Sequence, residues 1–464
     1  MRHVNRGHQL SDVGLLLVTV SLVIAVWQGV WVATLTLVAG LLLRQRGLVL
    51  VLCAVAALLG AWVGARAWEQ AAPRQLGDYT GWVQIVADPA PYGVGLRVTV
   101  EVDDERFDAW LYGGARRTLA DRQSGQFVWV DGRRTVLGAN ARRAQIRHVV
   151  GRFEAEVVGD VIDGSPLARA NNRVRDRLRS VAESTMAADD AALFAGLVIG
   201  DDARQPTWLI DDFRTSGLSH LTAVSGQNVA FVLAAALPLL RRLRPWWRWA
   251  ATVALIVWFM ALTRFEPSVL RAGVMAVLAA TAYVRGNQVR PVRVLSLAVL
   301  GLVMVDPLLV WSVGFWLSVG ATLGVCAVGP WLAPRLPGPK WLRLPMAVTL
   351  GAQLGVALPS VLVFGRLPIV SLPANLAAVP AAGFVMLYGL PAGLLASLLP
   401  SVLQPVVMLP ATLGTRWVST VAQVAATVEP SPSWAALWWA LGVSCLLGWW
   451  RRGRSRVDAA DVPI

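Results

Sequence analysis

The chain is 464 residues long, 56% hydrophobic and only 15% charged. Soluble globular chains are about 45–50% apolar and about 25% charged, so these values exclude an ordinary soluble protein, and the same apolar content excludes disorder. The formal charge of +14 is carried almost wholly by arginine, Lys340 being the only lysine, and the mean hydropathy of +0.56 fits a polytopic membrane protein.

The N-terminus has basic residues and then an apolar run. That run continues through two more apolar stretches, so it does not read as a cleavable signal peptide. Spans are predicted at 13–29, 30–43 and 48–65, the first two as a tight hairpin, forming an N-terminal membrane unit 1–66. Arg2 and Arg6 flank the first span, and Arg44 and Arg46 lie between the second and third. By the positive-inside rule both places are cytoplasmic, and the third span delivers the next segment outside.

That segment, 78–160, is polar and alternates with period 2. Its runs begin at Gly81, Leu96, Arg106, Gln126 and Arg152 and are separated by Gly, Asp and Pro. They predict a small antiparallel β domain. Short strands at this density suit a closed barrel of the OB type, and an SH3-like barrel fits the pattern nearly as well. Residues 165–190 carry Arg169, Arg173, Arg175, Arg177 and Arg179 and predict an amphipathic connecting helix on the membrane surface.

The region 191–450 is membrane again, with spans predicted at 218–240, 249–263, 269–284, 292–306, 312–330, 346–364, 368–399, 405–428 and 434–450, ahead of a basic tail at 451–464. The fold class is therefore a polytopic α-helical membrane protein of about twelve spans with one inserted external β-barrel. Loops around Arg241, Arg285 and Arg335 are basic and read as cytoplasmic. Those at Glu266, Asp306 and Glu429 read as external, and both termini as cytoplasmic. Most of the +14 charge is thus topology, and the scarcity of lysine reads as codon bias. Segment 368–399 is too long for one span and is interrupted by Pro373, Pro380 and Pro391. It reads either as a broken or re-entrant helix lining a pathway, or as two short kinked helices.

Polar residues concentrate where the membrane resumes: His220, Ser225, Gln227 and Asn228 enter an apolar span. Such groups need partners and mark either a pathway or interhelical hydrogen bonds. A hydrolase with Ser225 as nucleophile and His220 as base is disfavoured. Ala223-Val-Ser-Gly-Gln lacks the glycine two residues before the serine that a nucleophile elbow needs. Arg264 and Glu266 lie together at a helix end and are expected to pair. Arg271, one turn inside the next span, either snorkels to the interface or lines a route for an anion. The small residues of Gly314–Gly324 predict tight helix packing.

The β segment is polarised. Residues 78–108 carry 2 Arg against 7 acidic residues, and residues 109–160 carry 9 Arg against 5. Arg116, Arg117, Arg133, Arg134, Arg142 and Arg143 interleave with Trp110 and Trp129, among other aromatics, a pattern suited to phosphates and stacked bases of single-stranded nucleic acid. There is no phosphate-cradling glycine motif with a lysine, hence no ATPase of its own. His3, His8, His148 and His220 are isolated, and Cys53, Cys326 and Cys445 are scattered in apolar runs, so no metal site, cofactor or disulfide framework is expected.

The run Gly-Leu-Ser-His-Leu-Thr-Ala-Val-Ser-Gly-Gln-Asn-Val at 217–229 resembles the signature of the ComEC competence proteins, membrane channels for DNA uptake in natural transformation. Gly196-Leu-Val-Ile-Gly-Asp, Pro267-Ser-Val-Leu-Arg-Ala, the stretch Asp306–Gly324 and Pro373-Ala-Asn-Leu-Ala-Ala-Val-Pro match in order and spacing over about 190–400, and 78–160 occupies the position of the family's external OB fold. The resemblance implies a bacterial plasma-membrane channel that passes one DNA strand, without catalysis. Its pore and motif residues would be His220, Ser225, Gly226, Asn228, Arg271, Phe315, Ser318 and Asn375. It implies single-stranded DNA and membrane lipids as partners, together with a DNA receptor and a cytoplasmic helicase or ATPase. Asn228 stands where many members have His, so no titrating group is expected there. The chain stops about 14 residues after its last predicted span, so it reads as a short form without the metallo-β-lactamase-like domain of many members. The oligomeric state stays open, and a transporter of an anionic or lipid-linked solute is the alternative.

Overall fold

The computed structural model describes residues 11–430 apart from 46, 139–140, 223–225, 289 and 366–367. Three helices open it: α1 (Asp12–Gln28), α2 (Val30–Leu42) and α3 (Gly47–Glu69). The Ser11 hydroxyl accepts the Gly14 N–H at 2.9 Å and starts α1. Gly29, at φ +86°, makes the turn into α2. α3 lies close on α1 because Gly60 and Gly64 face it: a Cβ on Gly60 would come 2.6 Å from the Leu22 carbonyl oxygen.

The β segment comprises β1 (Gly77–Ile85), β2 (Ala90–Tyr92), β3 (Gly95–Val102), β4 (Glu105–Leu111), β5 (Phe127–Val136) and β6 (Val149–Ile162), with short helices α4 (Gly113–Leu119) and α5 (Ala141–Gln145) between strands. β1 pairs antiparallel with both β5 and β3, β3 with β4, and β5 with β6, while β4 and β6 run parallel. The pairings close a five-stranded ring, with β2 a hairpin arm on β3. Alternate residues fill its interior, among them Val83, Ile85, Val98, Val100, Phe107, Val128 and Phe153. The five expected strand runs are present. β2 was not expected, and β5 runs on through Arg133 and Arg134.

α6 (Pro166–Thr185) follows, capped by Ser165. Its buried face holds Asn171, Asn172 and Arg175 beside Leu178 and Val181, so it packs on protein through polar as well as apolar groups. α7 (Ala188–Ile199), α8 (Thr207–Thr215) and α9 (Ser219–Thr222) come next. Neither α7 nor α8 was expected. α7 is largely buried at the centre of the main core with Leu193, Phe194 and Leu197. The remaining helices are α10 (Gly226–Leu240), α11 (Pro245–Leu262), α12 (Pro267–Val284), α13 (Pro291–Val305), α14 (Val313–Leu323), α15 (Gly329–Leu332), α16 (Lys340–Phe364), α17 (Ser371–Ala396) and α18 (Gln404–Val428). A proline in the first turn starts α11, α12 and α13.

Among the described residues six helices are long and apolar enough to cross a membrane: Gly47–Glu69, Pro245–Leu262, Pro267–Val284, Val313–Arg335, Lys340–Phe364 and Ser371–Ala396. α14 and α15 are parts of the fourth, joined by a π-helical turn at Gly324–Val328. That turn lies against α16, where a Cβ on Gly351 would sit 2.8 Å from the Gly324 carbonyl oxygen. Gly320 and Gly324 thus serve close packing on α16, while Gly314 meets only Ser312 at the start of its own helix.

Segment 368–399 departs from expectation. α17 is one continuous helix of 26 residues through Pro380 and Pro391. Pro373 sits in its first turn, where no hydrogen bond is lost, and packed neighbours hold the helix across the other two. The expected span at 434–450, the tail 451–464 and the two termini lie outside the described residues.

Candidate functional site

The barrel meets the bundle through a buried charge cluster. Asp88, in the β1–β2 turn, accepts from Arg175 of α6 at 3.0 Å and from Arg264 of the α11–α12 turn at 2.9 and 3.3 Å. The Ser124 N–H donates to it at 2.8 Å. Arg175, only 1% exposed, also donates to the carbonyls of Ile199 and Leu262, so one guanidinium ties the barrel to α7 and α11. Burial would raise the Asp88 carboxyl, but Arg175, Arg264 and the Ser124 N–H outweigh it and hold the group below the usual carboxylate range. Arg264 and Phe265 adopt φ of +60° and +55°, a costly conformation for side-chain-bearing residues, and it aims Arg264 at Asp88. The expected Arg264–Glu266 pair is therefore replaced by a partner 176 residues away.

Beside this cluster lies a cavity of about 960 Å³ between the barrel, the end of α3 and the first turns of α12. Its wall is charged, with Glu101, Arg106 and Arg147 from the barrel and Glu266 and Asp306 from the bundle. His148 Nε2 lies 2.9 Å from Asp306 and forms a second bridge from barrel to bundle.

Deeper in the bundle, Arg271 of α12 is 5% exposed. Its Nε donates to the Ser318 hydroxyl of α14 at 2.9 Å, and its Nη1 lies 3.2 Å from Met275 Sδ. Arg271 therefore does not snorkel, and among the described residues no carboxylate pairs with it. Gly226 packs onto this point: a Cβ there would meet Ala272 at 2.8 Å and Arg271 Nη2 at 3.0 Å. Asn228 faces the other way and donates to the Leu197 carbonyl of α7 at 2.8 Å. Asn375 bonds within α17 to the Ser371 carbonyl at 2.7 Å, and Ser371 in turn meets Gln353 of α16.

The expected pore set thus divides. Gly226, Arg271 and Ser318 come together, while Asn228 and Asn375 sit in separate polar contacts. His220 is exposed on α9. Phe315 is 2% exposed and packs in an apolar cluster with Leu295 and Val299. Ser225 lies outside the described residues. Gln353 and Ser371 were missed, although a glutamine inside an apolar helix is itself a signal.

The barrel arginines divide as well. Arg134 is 8% exposed, paired with Asp103 at 2.9 Å and set over the Tyr79 ring, so it is a structural residue and not a free phosphate contact. Arg133 faces Asp78 at 3.5 Å, Arg116 donates to the Val94 carbonyl at 2.9 Å, and Arg142 lies over Trp68 of α3. Arg117 and Arg143 are exposed. Trp129 is half-buried opposite Trp82. Trp110 heads a different cluster: Arg152 lies 4.6 Å over its ring, Tyr92 meets it edge-on, and Arg97 is its cross-strand partner. Arg97, Arg152 and Tyr92 were missed because they gather at Trp110 only once β3 and β6 flank β4 and β2 folds back on β3. Among the described residues no group of His, Cys, Asp and Glu is arranged to hold a metal ion.

The competence protein family model matches residues 197–454, from α7 onward and over more than half of the chain. ComE operon protein 3 of Bacillus subtilis (strain 168) is 27% identical over 230 residues, which cover 48% of this chain and 28% of that protein. Uncharacterized protein YcaI of Escherichia coli (strain K12) is 26% identical over 211 residues, 42% of this chain and 28% of that protein. The chain thus spans well under a third of the length of these relatives. No solved structure matches it. The helices that carry Asn228, Arg271, Ser318 and Asn375 lie within the matched region, and the chain belongs to the competence protein family.

Proposed function

We propose that this chain is a channel in the bacterial plasma membrane that passes single-stranded DNA to the cytoplasm during natural transformation. The observation that carries the reading is Arg271: a buried guanidinium, held by a hydroxyl and not by a carboxylate, on a helix able to cross a membrane in a competence-family chain. A fixed positive charge of this kind is suited to a polyanion. Arg271, Ser318 and Gly226 would form the narrow contact, with Asn228 and Asn375 bracing the helices around it. No catalytic step is assigned to the chain.

The barrel, in this reading, is an OB-like domain. A five-stranded ring with one parallel pair between its third and fifth strands supports that. Its DNA face would be Trp110, Tyr92, Arg97 and Arg152, where an aromatic ring and cations lie together. The barrel would stand outside the cell. The ends of α10, α12 and α13 away from it carry Arg241, Arg242, Arg244, Arg285, Arg290 and Arg293, as cytoplasmic ends should. The division into 1–66, 78–160, 165–190, 191–450 and 451–464 follows, as do a DNA receptor and a cytoplasmic helicase or ATPase as partners.

The test is uptake of labelled DNA into the cytoplasm of a transformable host. Deleting the gene should abolish it, and unchanged uptake would sink the reading. A transporter of an anionic or lipid-linked solute is the second reading, favoured by the same Arg271. It loses the support of a broken helix, since α17 is continuous. Full-length protein that binds single-stranded DNA with affinity falling steeply in salt decides for the channel.

A further inference from the structure

At the end of the bundle away from the barrel lies a second cleft, of about 300 Å³, between the C-terminal ends of α10 and α12 and the start of α11. α12 reaches it from the barrel side over 18 residues, about 27 Å at the helical rise, close to the thickness of a bilayer's hydrocarbon core. Leu237 and Leu240 line the cleft with Arg241, Arg248, Trp249 and Tyr283. Arg248 lies over the Tyr283 ring at 5.2 Å, and the Trp249 indole N–H donates to Thr281 at 3.0 Å. Trp246 and Trp247 beside it are 69% and 70% exposed. Among the described residues, neither Arg241 nor Arg248 has a carboxylate within ion-pair distance, whereas Arg290 on the same end pairs with Asp12.

We propose that this cleft binds the phosphate headgroup of an anionic phospholipid, with Arg241 and Arg248 as its cationic contacts. Two cations without an anion, at the depth of a membrane interface, call for one. Exposed tryptophans are the side chains that settle at headgroup level. Leu237 and Leu239, 38% and 68% exposed, offer acyl chains an apolar surface that a nucleic acid has no part to match. Of the nearby rings, Tyr283 lies under Arg248 and Trp249 meets Trp246 edge-on. The proposal rests on the chain lying in a membrane and not on DNA as its cargo.

The test uses the full chain in non-ionic detergent, with phosphatidylglycerol or phosphatidylcholine added and bound lipid counted by native mass spectrometry. The wild type should retain phosphatidylglycerol in preference to phosphatidylcholine. Arg241→Gln or Arg248→Gln should weaken that retention about fivefold each, and the double variant roughly thirtyfold, from the usual contribution of one basic residue at an anionic surface. The double lysine variant should keep the preference, and it decides the matter if the glutamine variant does not fold. Equal retention of the two lipids, or undiminished retention in a folded glutamine variant, overturns the proposal. So does displacement of the lipid by an equal concentration of inorganic phosphate, which would mark a free-phosphate site, or by a short single-stranded oligonucleotide, which would mark a nucleic-acid site.

Discussion

Arg175 and Arg271 are both buried, at 1% and 5% exposure, yet their surroundings differ in kind. Arg175 shares Asp88 with Arg264 and also donates to two backbone carbonyls, so at the barrel junction two guanidiniums share one carboxylate and each of the three groups comes from a different element. Arg271 has a serine hydroxyl and a thioether. The first arrangement answers the cost of burying charge locally. The second leaves, among the described residues, a positive charge with no carboxylate beside it. Arg175 is thus a fastener, and Arg271 is the group that the proposed channel would use for binding.

The largest effect tests the fastener. Asp88→Ala leaves two buried guanidiniums without a counter-charge and should destabilise the chain by about 3–5 kcal/mol, read as a lowered thermal midpoint in detergent. Its pH dependence follows from the depressed Asp88 carboxyl. The stabilisation is complete above the usual carboxylate value, about 3.9, and is lost as pH falls through Asp88's own lower value, so wild type and Asp88→Asn should converge only in strong acid. A midpoint unchanged at neutral pH would dissolve the distinction.

Arg271→Met tests the other side. Stability should hold or rise, because an apolar group replaces a buried charge, while DNA uptake falls at least about tenfold, the scale of one lost charge-assisted hydrogen bond. Loss of folding instead would make Arg271 a second fastener. On the barrel, Trp110→Ala should weaken single-stranded DNA binding by about 1–3 kcal/mol, and Arg152→Gln should flatten the salt dependence by about 0.7 of a logarithmic unit per unit. The same measurements on Arg134→Gln should show lost stability and unchanged salt dependence. Gly226→Ala gives the smallest effect. Its methyl pushes on Ala272 and Arg271 at a cost near 1 kcal/mol, and uptake should fall without any change of charge.

Much of this was legible from residue order, and the misses share a cause. Period-2 runs located the strands of the ring, since one face of each must fill its interior. Apolar length located the six long helices. Local rules failed where the partner is distant in sequence. Arg264 reads as the neighbour of Glu266 until the β1–β2 turn arrives with Asp88. Arg134 reads as surface beside Arg133, yet alternation along β5 turns one outward and the other in. α7 escaped because twelve mostly apolar residues behind an acidic first turn are too short for a span and too apolar for a surface helix. Pro380 and Pro391 signalled a break that packing overrides. In the site, Arg271 was legible as an oddity, but Ser318 as its partner emerges only when α12 and α14 meet.

The π-helical turn at Gly324–Val328 gives this span a property best described as phase. Such a turn is an α-helix with one residue too many, and each residue advances the helix by about 100°. The wide turn takes up that extra residue, so Gly329 to Arg335 face their neighbours as they would in an unbroken α-helix one residue shorter. Deleting Ala327 alone would close the turn to ordinary α-helix and leave the end of the span facing α16, whereas the same deletion in a regular turn of the span would rotate that end by about 100°. This is a place where a one-residue change of length is tolerated.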